Sequence, residues 1–142
     1  MTNLPVPITA TATVAWNGAA VPTLVATAGE RASMRFLEFF AANIRNPHTR
    51  RAYARAADEF LTWCTSTGVP SIAAIQPVHV ATWIEAATRE LAAPSVKQRL
   101  AAIRHLLDWL VTGQVVPDNP AAPVRGPRHV VAHRAALRSP TR

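Results

Sequence analysis

The chain has 142 residues, 49% of them hydrophobic, which suits one globular domain with a real core. Its 15 Lys+Arg against 8 Asp+Glu give a net charge of +7, and every cation except Lys97 is an arginine, whose planar fork fits phosphates and base edges; an acidic partner is expected, nucleic acid ahead of anionic membrane. The single Cys64 excludes an internal disulfide and a cysteine zinc cluster, no apolar run approaches the roughly 18 residues of a spanning helix, and the N-terminus lacks the cations that begin a signal peptide, so a cytoplasmic protein without a membrane partner is expected.

Residues 1–28 contain no Asp, Glu, Lys or Arg and show no sustained period, which predicts a flexible, extended arm. From Glu30 the pattern changes. Phe36, Phe39, Phe40 and Ile44 recur at steps of three and four, predicting a first amphipathic helix over 30–44. Asn46-Pro47 stops that helix and starts a second, because Asn caps and Pro is tolerated at the first helical position. Over 47–67, Tyr53, Ala57, Phe60 and Cys64 make one face and Arg51, Arg55, Asp58 and Thr62 the opposite one, with Gly68 and Pro70 ending the helix. Gln76-Pro77 opens a third helix, 77–92, striped by Val80, Trp83, Ile84, Ala87 and Leu91.

Ala93-Pro94 reads as a loop and Ser95 as the N-cap of a fourth helix, 95–112, whose stripe Val96, Leu100, Ile103, Leu107 and Leu110 holds its spacing until Gly113. Four helices with short connections predict an all-α bundle over 29–116, since no single stripe can be buried alone. Residues 117–142 hold five prolines, five arginines and one acid, the composition of a basic linker or tail suited to a phosphate backbone, with Arg125 and Arg128 as its leading contacts.

The series NPHTRRAYARAADEFLTWC, IQPVHVATWI and SVKQRLAAIRHLLDWLVTGQVVPDNPAAPVRGPRHV resembles the N-terminal core-binding, SAM-like domain of tyrosine recombinases, the phage-type integrases, over about residues 30–131. The residues carrying the resemblance are Thr49, Arg50 and Tyr53 at the start of the second helix, Ser95, Val96, Leu100, Ile103 and Arg104 in the fourth, and Asn119-Pro120 after it. The resemblance implies a four-helix orthogonal bundle whose second and fourth helices present their polar faces to the major groove. It also implies that strand cleavage belongs to a separate C-terminal domain, none of whose motifs can be placed in this sequence. The expected function is duplex DNA binding in site-specific recombination without cleavage, with other recombinase protomers as further partners, no cofactor and no small-molecule substrate. A stand-alone helical DNA-binding regulator and a protein adaptor for a full-length recombinase are the alternatives from other classes.

His48-Thr49-Arg50-Arg51 followed by Tyr53 imitates a His-x-x-Arg and nucleophile pair. Phosphoryl transfer requires in-line attack on a phosphate held by several positioned cations, and a tyrosine on an apolar face does not supply that geometry. The reading taken is grip, not chemistry. Thr49, Arg50 and Arg51 crowd a helix N-terminal turn, where cations oppose the helix dipole unless an anion is present. Ser95, Lys97, Gln98 and Arg99 occupy the equivalent place on the fourth helix and Arg104 follows Lys97 along one face, with Gln98 able to pair with adenine and the cations with guanine or phosphate. Arg99 lies nearer the apolar edge and serves equally well as a snorkelling residue. The histidines lack metal-ligand spacing, so no metal is expected, and Trp63, Trp83 and Trp109 read as packing residues.

Overall fold

The structure, a computed structural model, describes residues 15–16 and 19–127, with side chains from Val21 onward. Two-residue strands β1 (Ala15–Trp16) and β2 (Ala19–Ala20) pair antiparallel, and all else that is regular among the described residues is helical. The α-helices are α1 (Thr23–Ala26), α2 (Glu30–Glu38), α3 (Pro47–Ser66), α4 (Pro77–Thr88) and α5 (Ala93–Thr112), with a 3-10 turn at Ile72–Ala74. The all-α expectation holds.

The extended arm does not reach residue 28. Val21, Leu24 and Val25 are buried, and α1 packs on α2 and α3. Four helical residues are too few to display a period, so only tertiary burial reveals them. Residues 1–14, 17 and 18 lie outside the described part. The first predicted helix also differs in its second half: α2 passes at Phe39 into a π-helical turn, Phe39–Asn43, before Ile44 becomes extended. Phe36, Phe39, Phe40 and Ile44 are nevertheless all buried, with the Phe36 and Phe39 rings edge-on to Phe40 at 5.1 and 5.0 Å.

Helix α3 begins as its sequence dictates. The Asn46 side-chain oxygen accepts the N–H groups of His48 (2.8 Å) and Thr49 (3.3 Å), with Pro47 at the first helical position. A cap of this kind contributes about 0.5–2 kcal/mol. Gly68, at φ +96°, supplies the left-handed residue after its end. Helix α4 stops at Thr88, short of the predicted 92, and its His79 accepts the Gln76 N–H through Nδ1 (2.9 Å), a capping contact.

The predicted loop at Ala93-Pro94 is helical. Ala92 is the N-cap without a side-chain bond, Pro94 sits in the first turn where no intrahelical N–H is lost, and Ser95 is one position too late to cap. Val96, Leu100, Ile103, Leu106, Leu107 and Leu110 are buried, and α5 packs against α2, α3 and α4. At its far end Trp109 Nε1–H donates to the Arg35 carbonyl (2.7 Å), the Arg35 guanidinium lies 4.6 Å from the Trp109 ring centre, and Arg31 donates to the Gly113 carbonyl. A Cβ at Gly113 would overlap the Arg35 guanidinium. The left-handed residue ending α5 is instead Gln114, at φ +63°.

Beyond α5 the chain is not yet a tail. Val116, Pro120, Ala121 and Val124 are buried, so packing continues past the predicted boundary at 116. The reason is polar as well as apolar, because Asn119 and Arg104 bind the backbone of this exit segment to α5.

Candidate nucleic-acid interface

Helices α3 and α5 form the central pair, and two cross-contacts give their register. Tyr53 packs on His105 with ring centres 5.9 Å apart, and Glu59 is ion-paired with Arg99. Numbers rise on one helix as they fall on the other, so the pair is antiparallel and the two N-terminal turns lie at opposite ends. The same register sets Lys97 level with Leu61, ten residues along α3 from Arg51, or roughly 15 Å at 1.5 Å per residue. Neither first turn carries an acidic residue.

At the α3 end, Arg51 is exposed with its Nη2 3.3 Å from His48 Nδ1, and Thr49 is half-buried. Arg50 is otherwise employed: its Nε–H and Nη2–H both donate to the Ile44 carbonyl, at 3.2 and 2.8 Å. That carbonyl belongs to the extended residue ending the π-turn, and the guanidinium satisfies an acceptor that no helix bond reaches. Arg45, which the sequence reasoning did not single out for the site, is an exposed cation beside this turn, and its signal was its place next to the Asn46 cap.

At the α5 end, Ser95, Lys97 and Gln98 are exposed, and neither Lys97 nor Gln98 makes a side-chain hydrogen bond or ion pair among the described residues. Arg99 is held by Glu59, which also meets Arg55 at 3.3 Å. Two cations therefore share one carboxylate. Arg104, like Arg50, faces backbone: it donates from Nε to the Ala121 carbonyl (3.2 Å) and from Nη2 to the Val124 carbonyl. Arg125 is exposed and borders, with Lys97, Leu100, Arg104, Gly126 and Pro127, an open groove of about 360 Å³. Arg128 lies outside the described residues.

Tyr53 is half-buried against His105, while Arg50 turns to Ile44 and Arg51 to His48, so no set of cations converges on the tyrosine. Cys64 is fully buried and burial pushes its thiol up to about 12, which keeps it protonated and unreactive at neutral pH. Among the described residues there is no cluster of His, Cys, Asp and Glu fit for a metal ion, and no helix is long and apolar enough to cross a membrane.

Residues 34–114 match the family described as phage integrase, N-terminal SAM-like domain. Curated proteins similar to the chain include the tyrosine recombinase XerC of Xylella fastidiosa strains Temecula1 and 9a5c, each 32% identical over 82 residues. The similarity covers 57% of this chain and 28% of each relative, so the chain spans under a third of the relatives' length. No solved structure gave a significant match.

Proposed function

The chain belongs to the phage integrase family through its N-terminal SAM-like domain, and on that premise we propose that it grips duplex DNA in site-specific recombination, without cutting it. The observation that supports this reading best is the pair of acid-free first turns at opposite ends of the antiparallel α3–α5 pair. Polar and cationic side chains stand at and just past these turns: exposed Arg51 with half-buried Thr49 on α3, and exposed Ser95, Lys97 and Gln98 on α5. Helix N-termini attract anions through free N–H groups and the helix dipole, and the cations add to that field. Arg51, Lys97 and Arg125 anchor phosphates, and Gln98 is the residue suited to a base edge. Arg50 and Arg104 hold backbone carbonyls and shape the surface from behind. Further recombinase protomers are the partners that would sit beside this one on DNA.

The test is binding to a fluorescent duplex, followed by anisotropy over a salt series. Arg51→Ala with Lys97→Ala should make the slope of log K against log salt shallower by about 0.9 per lost phosphate contact. Replacing Arg134, Arg138 and Arg142 by Ala should cost far less. Equal losses with equal slopes from both sets would reduce the chain to a diffuse polycation, and salt-insensitive or absent binding would favour an adaptor role.

A further inference from the structure

The exit segment lies directly on the first turns of α5. A Cβ at Gly126 would stand 3.3 Å from Leu100 Cδ2 and 3.9 Å from Lys97 Cγ, so the backbone at 126 rests on these two side chains. What holds it there is a reciprocal lock. Arg104 donates to the carbonyls of Ala121 and Val124, while Asn119 Nδ2 donates back to the Arg104 carbonyl (3.1 Å) and to Asp108 Oδ1 (2.7 Å), and Asn119 Oδ1 accepts the Ala121 N–H (2.8 Å). The residue following the last locked carbonyl is Arg125, exposed at the rim of the groove it shares with Lys97.

Resting on the DNA-grip reading above, we propose that Arg104 is a positioning residue: it strengthens grip by fixing Arg125 beside Lys97, not by touching DNA. Its Nε–H and one Nη2–H bind backbone carbonyls, and the side chain is half-buried, so the guanidinium is turned towards the exit segment. Free, the exit segment would carry Arg125 as a charge on a loose chain, and the ordering of that chain would have to be supplied on binding. Locked, Arg125 and Lys97 meet one phosphate stretch together.

Three variants separate this role from direct contact. Arg104→Ala removes a charge and the lock, whereas Asn119→Ala removes lock bonds and leaves every charge in place. Arg125→Ala removes the proposed contact alone. Losing that contact should weaken duplex binding roughly 5–10-fold at 0.1 M salt, as a slope of about 0.9 per decade implies. Arg104→Ala and Asn119→Ala should each reproduce most of that loss, and neither should add to it in an Arg125→Ala background. Hydrogen exchange should quicken at the amides of Ala121 and Val124 in both lock variants while the α3 amides stay protected, which shows a released segment in a folded domain. Additive losses for Arg104 and Arg125, or full affinity in Asn119→Ala, would make Arg104 a contact residue and overturn the proposal. Unchanged exchange in the lock variants would overturn it without reference to DNA. A parent chain that shows no salt-sensitive duplex binding would remove the grip reading, and this inference with it.

Discussion

Leu100 and Leu107 sit two turns apart on the same α5 stripe and are equally buried, at 2% and 1% exposure, yet truncating them should not cost the same. Buried Leu→Ala substitutions span about 2–5 kcal/mol, and the spread reflects how far the surroundings collapse into the space left. Leu100 is covered on one side by the exit segment at Gly126, two residues past the last carbonyl that Arg104 holds, where the backbone is able to settle inward. Leu107 lies in the middle of α5, the helix that packs on α2, α3 and α4. Leu100→Ala should therefore fall in the lower half of the range, about 2–3 kcal/mol, and Leu107→Ala in the upper half, about 3–5 kcal/mol. Against a total of about 5–15 kcal/mol for a domain, either is a large fraction. Urea denaturation followed by circular dichroism measures both, with the m-value expected to stay constant. A loss below about 1 kcal/mol at either site would contradict the burial argument, and Leu100→Ala costing more than Leu107→Ala would refute the idea that the exit segment yields.

Burial disfavours the thiolate and pushes the Cys64 thiol from its ordinary 9.0 up to about 12. A raised folded value means stability is fully present below pH 9 and is lost as pH climbs from there towards 12; urea midpoints of the parent chain should fall over that window more steeply than those of Cys64→Ala, and parallel curves would deny the shift. A duplex carrying a nicked suicide site should yield no covalent adduct with the chain, and a denaturation-resistant band that vanishes in Tyr53→Phe would restore the tyrosine as a nucleophile.

Helix α3 was legible almost residue for residue because its signals are local: Asn46-Pro47 at one end, Gly68 at the other, and a stripe of Ala57, Phe60 and Cys64 between. The α5 stripe was legible for the same reason. Its start was not, since Ser95 is a strong cap by type but Pro94 fits a first turn equally well, and the sequence does not show which turn forms. Helix α1 escaped notice because Leu24 and Val25 acquire meaning only against α2 and α3. The same limit explains the arginines. Arg50, Arg51, Lys97 and Arg104 look alike in the sequence as cations on the polar sides of α3 and α5, yet two of them serve the carbonyls of Ile44, Ala121 and Val124. Which carbonyls a fold leaves without an intrahelical partner is a property of tertiary structure, so a list of cations overstates the number free to meet an anion. Arg99 shows the converse, resolving from two sequence readings into an ion pair with Glu59.

Helix α5 is the last helix among the described residues and touches α2, α3 and α4. During synthesis from the N-terminus, every earlier stripe must therefore wait: Phe60, Cys64, Val80 and Ile84 have no finished core to enter until the segment ending at Thr112 has emerged. The Tyr53–His105 and Glu59–Arg99 contacts close large loops, which cost entropy before they return anything. Until then α1 to α4 have only one another to pack on, so a chain halted before α5 would expose the faces that α5 covers and be a substrate for chaperones and proteases, not a smaller version of the domain.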